Sequence, residues 1–287
     1  MRDSTVRAAG RAFRWVAPKI ALRPRRAAAI LLSRFPGTLK DAVIPALLHD
    51  WAATSPADYH RFIWSHHLLY AKYYDLRPIP HSRSAYFSKL HPLRIELLET
   101  AASCLRDQGV APETDVQSVL DVGSSLGYLL RYAETTVFPG AQRLLGIDID
   151  TRAIGEGAAH LRAIGSAVEL QVADLGALES VAGSEPFDLV TCTGVLQYVD
   201  EDAASIAVGA MLERSSKLLA LSGLASEDVD NATLEKSQVR AYDRSMIHNF
   251  DRMIVEHGGR IVARRWAGRE LVEGRLGAYL VVAVPPG

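Results

Sequence analysis

Cysteine is almost absent. Cys104 and Cys192 are the only two in 287 residues, and they stand alone without metal-ligand spacing. That excludes a disulfide scaffold and a metal framework, and it predicts two buried free thiols in a reducing, cytoplasmic setting. Long apolar runs are also missing: no stretch of about 18 residues is apolar enough to span a bilayer. Aromatic residues reach only 7% and charged residues 23%. Against 48% hydrophobic residues these shares exclude a disordered or fibrous chain and fit a globular one. There is no internal repeat and no low-complexity stretch beyond an alanine-rich start.

The net charge of −1 is unevenly spread. Residues 1–40 hold ten basic groups against the single acid Asp3, a local charge of +9, which leaves −10 on the other 247 residues. An acidic body argues against a dedicated nucleic-acid binder. In the arm, arginines alternate with Phe13, Trp15, Val16, Ile20 and Leu22 rather than preceding one uninterrupted apolar core, so it does not read as a secretory signal. Three expectations stay open for the basic arm 1–40: a helix on an anionic membrane face, a contact with a protein partner, or a solvated extension.

The middle of the chain divides into two rhythms. From 41 to 112 the spacing is helical, with Val43, Ile44, Leu47, Leu48 and Trp51 on one face. Ser55-Pro56 marks a helix start with Asp58 in capping-box position, and the apolar face runs on through Tyr59, Phe62, Ile63, Leu69, Tyr70 and Tyr73. Another helix is predicted from Pro92 to Gln108, stopped by Gly109. From 113 to 287 short β-branched runs alternate with helices. Strands are predicted at Ser118–Val122, Leu144–Ile149, Val168–Val172, Phe187–Cys192 and Lys217–Leu221, with helices at Thr151–Ile164 and Glu201–Arg214. Such alternation means βαβ units and a parallel sheet covered on both faces. A helix at Asp243–His257 then precedes two strands, Arg260–Trp266 and Ala278–Val284. The roughly ten residues between them are too few for a helical crossover, so these strands should pair antiparallel.

In a parallel sheet the ligand site lies outside the carboxyl ends of the strands. The first such end reads Asp121-Val122-Gly123-Ser124-Ser125-Leu126-Gly127. Gly123 permits a sharp turn and Gly127 a close helix start, but the spacing departs from the dinucleotide fingerprint, which needs glycines at its first, third and sixth positions. The second end, Gly146-Ile147-Asp148-Ile149, offers a carboxylate that can accept from two vicinal ribose hydroxyls. Asp174-Leu175 closes the third run, where a carboxylate suits an exocyclic adenine amine or simply caps a helix. The fourth ends in Thr193-Gly194-Val195-Leu196-Gln197-Tyr198-Val199.

Taken in order, these motifs resemble the class I (Rossmann-like) S-adenosylmethionine-dependent methyltransferases over about residues 116–284. The resemblance implies an α/β fold: a doubly wound, seven-stranded, mostly parallel sheet with an antiparallel last strand, here with an N-terminal helical appendage. It implies that Asp121, Gly123, Ser124, Ser125 and Gly127 hold the methionine part of the cofactor. Asp148 would take the ribose, with Ile149 after it also in the cofactor site, Asp174 and Leu175 would take the adenine, and Thr193 would stand at the same rim. No metal is implied. The chain departs from the family at Ser124 and Ser125, where glycine or cysteine and glycine are usual, at Tyr198, where histidine is common, and at Arg214-Ser215-Ser216-Lys217, which replaces a Pro-Gly-Gly turn.

The expected organisation is a basic arm (1–40), a helical substrate region (41–112) and a methyltransferase domain (113–287). The expected reaction is methyl transfer from S-adenosylmethionine to a small-molecule acceptor, with S-adenosylhomocysteine as product and an oxygen as the acceptor atom. Positioning the acceptor in line can supply about 7–11 kcal/mol. An oxygen acceptor also needs a general base, best met by histidine. His66, His67, His81, His91 and His248 are the candidates, of which His67 and His248 are preferred, with Tyr198 and Tyr242 to orient substrate. His66 and His67 are adjacent and point in different directions on a helix. Tyr73, Tyr74, Tyr86 and Phe87 form either an aromatic lid or a helix seam. Two other classes remain. One is a non-catalytic scaffolding member of the fold. The other is an NAD(P)-dependent oxidoreductase, against which stand the glycine spacing, Asp174 and the absence of a Tyr-x-x-x-Lys pair.

Overall fold

The computed structural model describes residues 13–34, 38–66, 68, 90–178, 180, 183, 185–241, 243–268, 271–272, 275–276 and 278–287, with backbone alone at 38–42, 271–272, 275–276 and 278. The chain forms two contact units: residues 1–78 with 242–244, and residues 79–241 with 245–287.

The first unit is helical. A 3-10 turn, Ala17–Lys19, leads into α1 (Leu22–Ser33), followed by α2 (Thr38–Leu47), α3 (His49–Thr54) and α4 (Pro56–Ser65). The apolar spacing read from the sequence is what buries: Ile44, Leu48, Tyr59, Phe62 and Ile63 form one core with Leu68. Ala17 and Ala29 belong to this core too, so the stretch between them is anchored to the helical unit. Arg25 fastens it. Its guanidinium is buried, donates to Leu47 O at 3.0 Å and grips both Asp50 oxygens, which holds the Asp50 carboxyl below its usual range. The expected start at Ser55-Pro56 is correct, but the Ser55 hydroxyl makes no capping bond. Leu69, Tyr70, Tyr73, Tyr74, Tyr86 and Phe87 lie outside the described residues.

The second unit is built on a seven-stranded sheet. Its strands are β1 (Ser118–Val122), β2 (Arg143–Asp148), β3 (Val168–Val172), β4 (Phe187–Thr193), β5 (Ser215–Leu224), β6 (Arg260–Trp266) and β7 (Ala278–Val284), in the order β3-β2-β1-β4-β5-β7-β6. The first five run parallel, and β7 enters antiparallel between β5 and β6. The doubly wound sheet with an antiparallel last strand is therefore as expected. The inner strands are apolar on both faces because helices cover both. On one side Leu120, Val122, Val190, Leu219 and Leu221 join Phe250, Met253 and Tyr279 in the core. Phe250 stacks on Tyr279 with centroids 5.3 Å apart, and burying such rings contributes about 2–3 kcal/mol each. Both cysteines are buried and free.

Three boundaries differ from the sequence reading. Helix α5 (Pro92–Asp107), assigned above to the substrate region, belongs to the second unit: its face of Leu97, Leu98, Ala101 and Leu105 is buried, and Arg265 of β6 pairs with Glu96. The arm expected at 1–40 is part of the first unit from residue 13 on. The helix expected from Asp243 begins only at Phe250, as α9 (Phe250–Glu256). Arg244 takes a left-handed φ of 65°, and Met246–Ile247 pairs as a short strand with Gln238–Val239. Asn249 then caps the helix by accepting from Arg252 N at 2.9 Å.

Helices α6 (Tyr128–Tyr132), α7 (Thr151–Ala163) and α8 (Glu201–Glu213) complete the crossovers. Asp150 caps α7 and Asp200 caps α8.

Candidate functional site

Parallel pairing sets the carboxyl ends of β1, β2 and β4 side by side: Asp121 is opposite Gly146 on one flank and Thr191 on the other. The chain leaves β1 in a tight turn. Gly123 N and Ser124 N both donate to Ile147 O, at 2.7 and 2.9 Å. Gly123 has φ +83°, and a Cβ there would stand 1.9 Å from Val195 Cγ2, so only glycine fits. Gly127, at φ +79°, begins α6 under the same constraint.

The two serines that depart from the family pattern have distinct places. Ser124 packs over Gly146, where a Cβ would meet its Oγ at 2.6 Å. The glycine in β2 makes the room that the serine fills. Ser125 adopts a left-handed φ of 52° and donates its N–H to Asp148 Oδ2 at 2.9 Å. Asp148 Oδ1 accepts from Asp150 N, also at 2.9 Å. Two backbone donors thus fix this half-buried carboxylate, and each oxygen keeps acceptor capacity for a ligand. Burial raises its pKa, against the pull of those N–H groups. Ala173 N donates to Asp148 O at 3.0 Å, which joins the end of β3 to the same rim. Asp174 follows, half-buried, and does not cap the turn Leu175–Ala177 beside it. Leu175 and Ile149 are half-buried as well.

The centre of the site is Asp121. It is buried, and Thr191 Oγ1 donates to its Oδ1 at 2.8 Å. Its Oδ2 is equally buried but accepts no hydrogen bond, and Ser124 Oγ and Thr193 Oγ1 share that condition. Burial without a full set of partners pushes the Asp121 carboxyl up to about 6, although Arg94 and Thr191 pull it down. Arg94, on α5, is a charged residue that sequence reading did not single out. Its field acts on Asp121, Asp148 and Cys192. In sequence it is one more arginine on an amphipathic helix, and only the packing of α5 brings its charge to bear here.

The histidines fare differently. His67 and His81 lie outside the described residues, as does Tyr242. His66 Nδ1 donates to Phe62 O at 3.0 Å at the end of α4, and His91 caps α5 by accepting from Leu93 N. His248 is buried beside β4. Its Nε2 is 2.8 Å from Leu196 O and its Nδ1 is 2.7 Å from Ser237 Oγ. A carbonyl only accepts, so Nε2 carries the proton and Nδ1 accepts from the serine. Burial lowers the His248 pKa and keeps the ring neutral. Both ring nitrogens are thus used inside the chain, and what His248 holds is the turn Leu196–Tyr198, which presents half-buried Tyr198 at the rim. Asn231 and Asn249, also not legible from sequence, staple the segment after β5. Asn231 Nδ2 donates to Leu224 O and His248 O, and Asn249 Nδ2 to Ala232 O and Leu234 O.

Residues 119–218 match the family described as Methyltransferase domain. A ubiquinone biosynthesis O-methyltransferase of Aromatoleum aromaticum is 30% identical over 126 residues, which is 44% of this chain and 47% of that protein. The chain thus spans about half the length of the curated relative it matches. Among solved structures, magnesium protoporphyrin IX methyltransferase from Synechocystis PCC 6803 with bound S-adenosylhomocysteine is 16% identical at a TM-score of 0.52, covering 81% of this chain and 99% of that one. A SAM-dependent methyltransferase from Leishmania major is 12% identical at a TM-score of 0.54, covering 81% and 84%. At those identities the likeness is one of fold. Residues 119–218 are a methyltransferase domain, and the sheet that carries them has the fold of the class I, Rossmann-like S-adenosylmethionine-dependent methyltransferases.

Proposed function

We propose that the chain is an S-adenosylmethionine-dependent methyltransferase acting on a small-molecule acceptor at oxygen. The observation that carries this reading is the unsatisfied Oδ2 of Asp121, buried where β1, β2 and β4 end together. A buried acceptor without a partner costs about 1–3 kcal/mol, which a cationic ligand group would recover. The surroundings fit an adenosyl-sulfonium amino acid: Asp121 for its ammonium, the Gly123–Gly127 turn for close backbone approach, Asp148 for two hydroxyls and Asp174 with Leu175 for the base. When bound, that cofactor supplies a methyl group on a sulfonium, which leaves as a neutral thioether. The protein's own contribution is placement. The turn Leu196–Tyr198, fixed by His248, sets Tyr198 to orient the acceptor, and His67 remains the candidate base. The related O-methyltransferase of Aromatoleum aromaticum supports oxygen as the acceptor atom. Ser124 does not support a scaffolding role, since its side chain fills the space over Gly146.

Calorimetric titration with S-adenosylmethionine, S-adenosylhomocysteine and NAD tests this, with Asp148→Ala alongside. The expected result is binding of both adenosyl-sulfur ligands at about micromolar Kd, weakened at least about tenfold in the variant. No binding of either by a folded sample would support the scaffolding class, and binding of NAD alone the oxidoreductase.

A further inference from the structure

Ten large apolar side chains stand exposed among the described residues, and five of them fall between Phe13 and Leu31: Phe13, Trp15, Val16, Ile20 and Leu31. The other five are single aliphatic residues scattered over the chain. Trp15 is 72% exposed, an unusual place for the largest apolar side chain, whereas the other tryptophans, Trp51, Trp64 and Trp266, are half-buried.

Charge in this stretch has one sign. Residues 13–33 contain Arg14, Lys19, Arg23, Arg25 and Arg26 and no acid. Two of these are engaged inward: Arg25 with Leu47 O and Asp50, and Arg26 over the Phe62 ring at 4.5 Å. Arg14, Lys19 and Arg23 are exposed in the same stretch, as is Arg26. Lys19 Nζ lies 3.5 Å from the centre of the Trp15 ring, so an ammonium and an indole are displayed together. The stretch is fixed to the first unit by buried Ala17, Arg25 and Ala29.

We propose that the exposed face of residues 13–31 is a docking surface for an anionic lipid bilayer, on which the chain lies as a peripheral protein. Indole prefers the interface, where its ring meets acyl chains and its N–H meets headgroups, and basic side chains beside it reach lipid phosphates. Two weak signals acting together give stable attachment where either alone would not. The aliphatic Val16, Ile20 and Leu31 have no counterpart on a nucleic-acid backbone, which the basic groups alone would otherwise suit. Spanning is not involved: among the described residues no helix is long and apolar enough to cross a membrane. The inference does not depend on the reaction proposed above.

Sedimentation of the full chain with vesicles tests it, using phosphatidylcholine alone and phosphatidylcholine with about 30% phosphatidylglycerol. The wild type is expected to bind the anionic vesicles at least tenfold more strongly, with a blue shift in tryptophan emission, and to be released near 0.5 M salt. Trp15→Glu, at an exposed position that leaves the fold intact by circular dichroism, should lose the blue shift and at least tenfold in binding. Lys19→Glu with Arg23→Glu should do so while keeping the indole. The proposal is overturned if the folded wild type ignores anionic vesicles, or if Trp15→Glu binds them equally. Burial of Trp15 in a lipid-free dimer, or capture of a duplex oligonucleotide in place of vesicles, overturns it as well.

Discussion

Asp121 shows how a single side chain reports on a ligand. Its carboxyl is raised to about 6 by burial, so in the free chain it titrates near neutrality. The sign of the consequence follows from linkage. A carboxyl whose folded pKa lies above the ordinary value of about 3.9 favours folding when protonated, and that contribution fades as pH rises through 6. A cationic ligand prefers the ionised form. Affinity for S-adenosylmethionine is therefore expected to fall about tenfold for each unit of pH below 6, read by titration at pH 7.5 and pH 5. Asp121→Asn should abolish that dependence and weaken binding at least about tenfold, yet melt no lower than wild type at pH 7, because it relieves a buried charge. A variant that kept the pH slope would assign it to another group. The sequence marked Asp121 and Asp148 by their places at strand ends. It had no means to show that one oxygen of Asp121 lacks a partner.

At the scale of elements, the amino ends of the strands are tied by a residue that belongs to no site. Asp188 of β4 accepts from Gln117 N at 2.7 Å and Ser118 N at 3.1 Å on the β1 side, and pairs with Lys217 of β5. Ser216 Oγ adds a bond at 3.2 Å, so the Ser216-Lys217 sequence in place of the family's Pro-Gly-Gly turn has its own structural use. Burial raises the Asp188 carboxyl, but Lys217 and the backbone donors outweigh it and hold it below the usual range. Its contribution is present above the unfolded value of about 3.9 and is lost as pH falls towards the lower folded value. Asp188→Asn is expected to cost about 1–3 kcal/mol at pH 7 in urea melts, with the difference from wild type shrinking below about pH 4. A constant difference down to pH 3 would mean that packing, not charge, holds this corner. Strand and helix positions along this stretch were readable because alternation of β-branched runs and amphipathic helices is local. The helix expected from Asp243 was not, since a short strand pair and the Asn249 cap took the seven residues before Phe250.

At the scale of the whole molecule, each of the two contact units has a buried apolar cluster of its own among the described residues. One gathers Ile44, Leu48, Phe62 and Ile63, the other Leu120, Val190, Leu221 and Phe250. Separate cores predict separate cooperative units. Calorimetric melting should resolve two transitions. S-adenosylhomocysteine at about a hundred times its Kd should shift only the one that belongs to the sheet, by an amount equivalent to about 2.7 kcal/mol. A single transition moving as one would show that the units unfold together. The sequence placed the division near residue 112, because helices end and strands begin there. The contacts place it near residue 78, because the buried face of α5 packs in the second unit.

The sequence by itself determined the strand runs, the glycines that must turn sharply, the acids at the strand ends and the basic, apolar start of the chain. All of these are local: they depend on periodicity of 2 or 3.6 and on which residue tolerates positive φ. Only tertiary structure decided what those residues face. The field of Arg94 on Asp121, the carbonyl that occupies His248 and the room that Gly146 leaves for Ser124 each join segments apart in the chain. Which distant groups meet is set by sheet order and helix packing, and no local pattern encodes it.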